Sequence, residues 1–189
     1  MGQDKALLPF LGQPLIARVL ERVAPIADEI LVTANQPENY RFLGVPIIPD
    51  LIPGRGPLGG LYTALSAASQ PLVAVIACDM PFINPNLLLA ERDLLVQTET
   101  DILIPHLEGG KEPFHAIYRR ETCLPHIINS VEAGKWRADA WFHHVKLHPI
   151  LQEDIVKHDP QLYSFWNVNT PQDLQVAIQF ASQNEDRND

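Results

Sequence analysis

The stretch Leu72-Val73-Ala74-Val75-Ile76-Ala77, followed at once by Cys78-Asp79-Met80-Pro81, decides the fold. Six apolar residues in a row leave no polar face, the pattern of a central parallel strand covered by helices on both sides. Outward from it, short apolar runs alternate with longer amphipathic ones. Upstream, residues 6–10 predict a short extended piece turned by Leu11-Gly12. Pro14 opens a helix with Leu15, Ile16, Val19, Leu20 and Val23 on one face. Residues 29–33 (EILVT) and 45–49 (VPIIP) predict strands, residues 50–60 a loop, and residues 57–69 a helix with Leu58, Leu61 and Leu65 inward. Downstream come a helix over 85–98, strands over 101–105 and 114–118 around a Glu108-Gly109-Gly110-Lys111 turn, and a helix over 122–133. A strand over 145–149 and a helix over 171–182 follow. Strands alternating with helices give an α/β fold. The expectation is a single domain over residues 1–182, a Rossmann-like, mainly parallel sheet flanked by helices, with a polar tail over 183–189.

Length and composition bound what such a domain can do. A chain of 189 residues is one domain with one core. Fourteen basic against 23 acidic residues give a net charge of −9. That excess excludes nonspecific binding to nucleic acid or anionic lipid, where basic side chains neutralise phosphate, while leaving room for a local pocket for a small anion. Cys78 and Cys123 lie far apart, outside any zinc-knuckle or disulfide spacing. No apolar run reaches the ~18 residues of a membrane span. MGQDKALL lacks the basic and apolar regions of a signal peptide, so a cytoplasmic protein is expected. The 17 prolines stand mostly where helices begin and punctuate structure.

In open α/β sheets ligands sit outside the carboxyl ends of the strands, so the residues there carry the chemistry. Asp79 ends the most apolar strand. Its carboxylate suits a hard divalent cation shared with phosphate oxygens, or else caps the helix that follows. Asp50 and Asn35 end the two preceding strands and serve as ligand contacts or as turn residues. Lys5 is a point charge for phosphate or a surface lysine. Gly54-Arg55-Gly56-Pro57-Leu58-Gly59 matches GxGxxG literally, with Asp79 20 residues beyond it. A nicotinamide-binding reading follows from that match. Against it, Asp50–Pro53 separate the glycines from their strand, and Pro57 removes a backbone N–H. The seven histidines show no HxxxH spacing, and His115 reads as a packed strand residue. Trp136, Trp141 and Trp166 read as core or rim residues. Lys111, Lys135 and Arg137 lie in turns, where they face a phosphate or water.

Taken together, DKALL and GQPLIARV (residues 4–8 and 12–19), VTAN (32–35), PDLIPGRGPLGGL (49–61), CDMPF (78–82), EPFHAIYRR (112–120) and FWNVNTPQDL (165–174) resemble one family over nearly the whole chain. It is the molybdenum cofactor guanylyltransferases, whose fold is of the nucleotide-diphospho-sugar transferase type. The resemblance implies guanylyl transfer. The phosphate of molybdopterin or its molybdenum form attacks the α-phosphorus of GTP, pyrophosphate leaves, and a guanine dinucleotide cofactor results. It implies magnesium held at Asp79, Lys5 on the nucleotide phosphates, Asn35 and Asp50 on base or ribose, and Gly56 and Gly59 where backbone nears the ligand. Asn167 and Asn169 are implied as pocket residues toward the pterin. GTP, molybdopterin and molybdoenzyme maturation proteins are the implied partners, with no nucleic acid and no membrane.

Close alternatives keep the fold and change the substrate: a CTP-using cytidylyltransferase, or a pterin-binding protein without catalysis. The family opens with a strand and a loop of the type LAGGxSxRMG, and here Met1-Gly2 matches only the end of that loop. Either the start is misplaced at the loop's internal methionine or the chain is shortened. Both lead to exposed apolar flanks on the neighbouring strands and weak or absent GTP binding by these 189 residues.

Overall fold

A computed structural model describes residues 4–185. Met1-Gly2, the remnant of the expected phosphate loop, and Asp186–Asp189 of the expected tail lie outside the described residues. In chain order the elements are β1 (Pro9–Phe10), β2 (Gln13–Pro14), α1 (Leu15–Val23), β3 (Val32–Thr33), β4 (Ile47–Ile48), α2 (Gly56–Ala67), β5 (Leu72–Ile76), α3 (Pro85–Thr98), β6 (Ile102–Leu107), β7 (Gly110–Lys111), β8 (His115–Arg119), α4 (Arg120–Glu132), β9 (Leu147–Leu151), α5 (Gln152–Ile155) and α6 (Pro171–Glu185). Single 3₁₀ turns precede β1, follow α1 and close several loops, the longest being Pro37–Leu43.

The main sheet has the order β5-β8-β6, with β9 on the far side of β6 and β7 extending the β6 hairpin. Three of its strands, β5, β6 and β9, run the same way. β8 opposes them and pairs antiparallel with both β5 and β6. The sheet is therefore mixed. The chain enters β8 through the tight β6–β7 turn, and a short turn can join only antiparallel strands. Each parallel neighbour is instead reached through a helix.

Strands β6 and β8 form the buried centre of the sheet, with Ile102, Leu103 and Ile104 of β6 and His115, Ala116 and Tyr118 of β8 inaccessible to solvent. Helices α2 and α4 cover one face of the sheet through a core of Leu58, Leu61, Leu65, Ile104, Tyr118, Ile127 and Trp141. On the other face, α3 and α5 pack Leu87, Leu95 and Ile155 against Leu103, Ile117 and Ile150. A buried pair stands in this layer. His115 Nε2 of β8 lies 3.4 Å from Glu91 Oε2 of α3, both fully buried, with the Phe165 ring 4.4 Å away from the imidazole.

The expectation for residues 72–77 is half right. They form a strand, but β5 pairs only with β8 among the described residues, and Ala74 is exposed. Its other side opens on a cavity of about 620 Å³, walled by residues 26–33, by Leu72–Ile76 and the residues after it to Asp79, and by helix residues such as Ile16, Val19 and Leu88. The small parallel sheet β3–β4 stands beyond that cavity. With no partner there, the predicted strand over 29–33 shortens to Val32–Thr33.

Candidate functional site

The carboxyl ends of β3 and β5 meet. Ala34 and Cys78, each just past its strand, pack in one cluster with Ala6, Val32 and Tyr40. Chain direction thus brings the amino-terminal turn Lys5–Leu7 to the edge predicted to bind ligand. Asp4 caps that turn through the Ala6 N–H, and its other oxygen accepts the Tyr40 hydroxyl.

Asp79 lines the cavity and is half-buried. Burial pushes its carboxyl above the ordinary carboxylate value, while the Lys5 ammonium and the residue's own backbone N–H pull the other way. Its main-chain carbonyl accepts the Val168 N–H at 2.9 Å, which ties the CDMP segment to the NVNTP segment 89 residues later. Asn167 and Asn169 flank that bond. Asn169 Oδ1 accepts Lys5 Nζ at 2.8 Å. Four of the residues expected in the site (Lys5, Asp79, Asn167 and Asn169) are thereby gathered in one place.

Asn169 is itself held by a residue that the site reading missed. Asp173 Oδ2 accepts the N–H groups of Asn169 and Thr170 at 3.0 and 2.8 Å, and Thr170 Oγ1 accepts the Asp173 N–H at 3.1 Å. This is a reciprocal capping box at the start of α6, completed by Pro171 in the first turn. The signal was legible as Thr-x-x-Asp before an apolar helix face. These bonds hold the Asp173 carboxyl below its usual value.

Asn35 and Asp50 are also brought together. Asn35 Nδ2 donates to Asp50 Oδ2 at 2.9 Å, and Asn35 Oδ1 accepts the Asp50 N–H at 3.3 Å. The parallel pairing of β3 with β4 sets them side by side. The glycines differ from one another. Gly56 is exposed and opens α2 at φ +55°, a conformation glycine favours. Gly59 is buried, and a Cβ there would stand 2.9 Å from Arg55 Cβ and 3.3 Å from the Ile52 carbonyl. Gly59 lets α2 close on its own loop. The GxGxxG match lacks a strand-to-glycine turn, since β4 ends at Ile48, six residues before Gly54.

Among the described residues no group of three His, Cys, Asp or Glu side chains is arranged to hold a metal. A single half-buried carboxylate fits a hard cation that takes its remaining ligands from substrate oxygens and water, and does not fit a transition-metal centre.

Fold and edge together define a class. A crystal structure of molybdopterin-guanine dinucleotide biosynthesis protein A from Archaeoglobus fulgidus superposes with a TM-score of 0.83 at 26% identity, over 96% of this chain and 92% of that one. A 2-C-methyl-D-erythritol 4-phosphate cytidylyltransferase from Thermus thermophilus shares the fold alone, with a TM-score of 0.69 at 18% identity over 94% of each chain. This is the class of α/β nucleotidyltransferases. The profile of the MobA-like NTP transferase domain matches residues 1–146. A "Probable molybdenum cofactor guanylyltransferase" of Pelotomaculum thermopropionicum is 34% identical over 94% of this chain and 85% of its own. The molybdenum cofactor guanylyltransferase of Vibrio cholerae is 30% identical over 92% and 82%. The chain belongs to this family of MobA-like nucleotidyltransferases, and the nicotinamide reading of Gly54–Gly59 falls with that assignment.

Proposed function

We propose that this protein transfers GMP from GTP to the terminal phosphate of molybdopterin or its molybdenum form, releasing pyrophosphate. The carrying observation is the gathering of Asp79, Lys5, Asn167 and Asn169 at the carboxyl edge through the Val168–Asp79 and Lys5–Asn169 bonds. Two anionic reactants must meet there, so charge has to be neutralised and geometry fixed.

The acceptor's phosphate oxygen forms a bond to the α-phosphorus of GTP, and the bond from that phosphorus to the β-phosphate bridging oxygen breaks. The nucleophile is ionised at neutral pH, so no general base is required. Lys5 faces the phosphates and stays oriented by Asn169. Asp79, ionised, would hold magnesium. When bound, magnesium screens the repulsion between phosphates. The Asn35–Asp50 pair offers donors and acceptors to base or ribose, with Gly56 where backbone nears the nucleotide. Asn167 and Asn169 lie on the pterin side. No helix among the described residues is long and apolar enough to cross a membrane; the cytoplasm as its location is part of the proposal. Molybdoenzyme maturation proteins would receive the product.

The test is incubation with GTP, magnesium and molybdopterin, with detection of pyrophosphate and dinucleotide and with CTP in a parallel arm. Asp79→Asn is expected to abolish product. Undiminished product from that variant, or faster turnover with CTP, overturns the reading.

A further inference from the structure

One stretch of the same edge has no role in that scheme: Lys135-Trp136-Arg137, between α4 and β9. Arg120, at the start of α4, donates its N–H to Pro71, just before β5, so α4 begins at the amino edge. Its 13 residues, rising ~1.5 Å each, then carry the chain back toward the carboxyl edge.

Trp136 is 63% exposed, whereas Trp141 five residues on is fully buried. A large aromatic left in water is the informative case, because its burial would be worth more than that of any other side chain. Its backbone is pinned. The Trp136 carbonyl accepts the Leu58 N–H at 3.0 Å, and the preceding turn is closed by Gly134 N–H to Val131 O and Lys135 N–H to Ser130 O, both 3.0 Å. The anchor lies in the first turn of α2, two residues from Gly60, and Gly60 lines the same cavity as Asp79.

Cations surround this turn in a protein whose net charge is −9. Arg55 Nη1 comes within 3.8 Å of the Cβ position of Gly134. Lys135 is exposed, with Nζ 3.5 Å from the Ala140 carbonyl. Arg137 is paired with Asp139 at 2.7 and 2.9 Å, and the Lys111 charge also acts on Asp139.

We propose that Trp136 is the platform on which the flat ring of the acceptor substrate lies, with Lys135 and Arg55 toward its phosphate. The assignment rests on the reading of the acceptor as a phosphorylated pterin. An indole face stacks on any flat heteroaromatic ring, and flanking cations select the one that carries an anion. The nucleotide is left to the Asn35–Asp50 side.

Equilibrium dialysis of the 189-residue protein tests this with three probes: 6-hydroxymethylpterin phosphate, the unphosphorylated pterin, and GTP with magnesium. Trp136→Ala is expected to weaken binding of both pterins about tenfold, the scale of one lost stacking contact, with GTP binding unchanged. Trp136→Phe, which keeps an aromatic face, stays within about threefold of the parent on the same scale. Lys135→Ala weakens only the phosphorylated pterin. The indole is solvent-exposed, so its truncation leaves the core intact. Pterin binding by Trp136→Ala at the parent's strength overturns the platform while leaving guanylyl transfer standing. Loss of GTP binding without loss of pterin assigns the indole to the nucleotide and overturns it as well. Failure of the guanylyl-transfer reading shows elsewhere, as no pyrophosphate with molybdopterin.

Discussion

At the scale of single residues, Asp79 is set between two opposing influences. Burial raises its carboxyl above the ordinary 3.8, and Lys5 limits the rise. On the proposed reading the carboxylate must be ionised to take a hard cation, and in the metal-free protein it is expected to titrate at a higher pH than a free aspartate. Lys5→Met removes the favourable charge and is expected to raise the Asp79 value further. A carbon-13 titration of the Asp79 carboxyl in the metal-free protein measures it. A value that stays put in the variant would show that Lys5 does not act on Asp79. Gly59→Ala tests a different kind of constraint. The new methyl group would enter a space where Arg55 Cβ and the Ile52 carbonyl already stand, so overpacking of about 1–3 kcal/mol is expected, read as a fall in the midpoint of urea unfolding. Position at a strand end singled out Asp79, Asp50 and Asn35, because the end of an apolar run can be seen in one dimension. The Asn35–Asp50 pairing could not be seen, since it depends on which strands lie adjacent.

At the scale of elements, the capping box of α6 matters beyond its own helix, because it also fixes the Asn169 backbone and through it the partner of Lys5. Thr170→Ala is expected to cost about 1 kcal/mol of stability and to raise the KM for the substrate phosphates. Asp173 adds a pH term whose sign is fixed. Its carboxyl is lowered in the folded state, so the stabilisation is present above the ordinary 3.8 and is lost as pH falls through the lower folded value. Asp173→Asn removes that dependence, and unfolding midpoints across the acid range would show it. The helices were the most legible elements: Pro85–Thr98 falls as read, and α1 starts one residue after the Pro14 that announces it. Their signals are local, an apolar face with a proline or a capping side chain at the start. The short strands were overread at 29–33 and 45–49, because a strand exists only where a partner strand supports its hydrogen bonds. The antiparallel β8 was also hidden, since burial on both faces looks alike in either direction.

At the scale of the whole molecule, the sheet is divided by the cavity between β3 and β5, and its backbone polarity can be derived. Ala77 donates to Phe114 and Val75 is registered opposite Ala116, so the N–H groups of Val73, Val75 and Ala77 point to β8. Those of Leu72, Ala74 and Ile76 point the opposite way, into the cavity. Across it, Val32 and Ala34 donate to the β4 side, to Pro46 and Ile48, which turns the Thr33 N–H toward the same space. Two strand edges of parallel sense thus face one another over an apolar lining, each with donors that find no strand there among the described residues. Unpaired edges of this kind exchange their amide hydrogens through small local openings, while the paired set needs the sheet to open. Residue-resolved hydrogen exchange is expected to show Leu72, Ala74 and Ile76 exchanging at least about tenfold faster than Val73, Val75 and Ala77. Alternation along six consecutive residues is a signature that general loosening of the chain does not produce, since fraying would speed both sets together. Equal, strong protection of the two sets would mean that something closes the cavity in solution, and the divided sheet would then not describe the working protein.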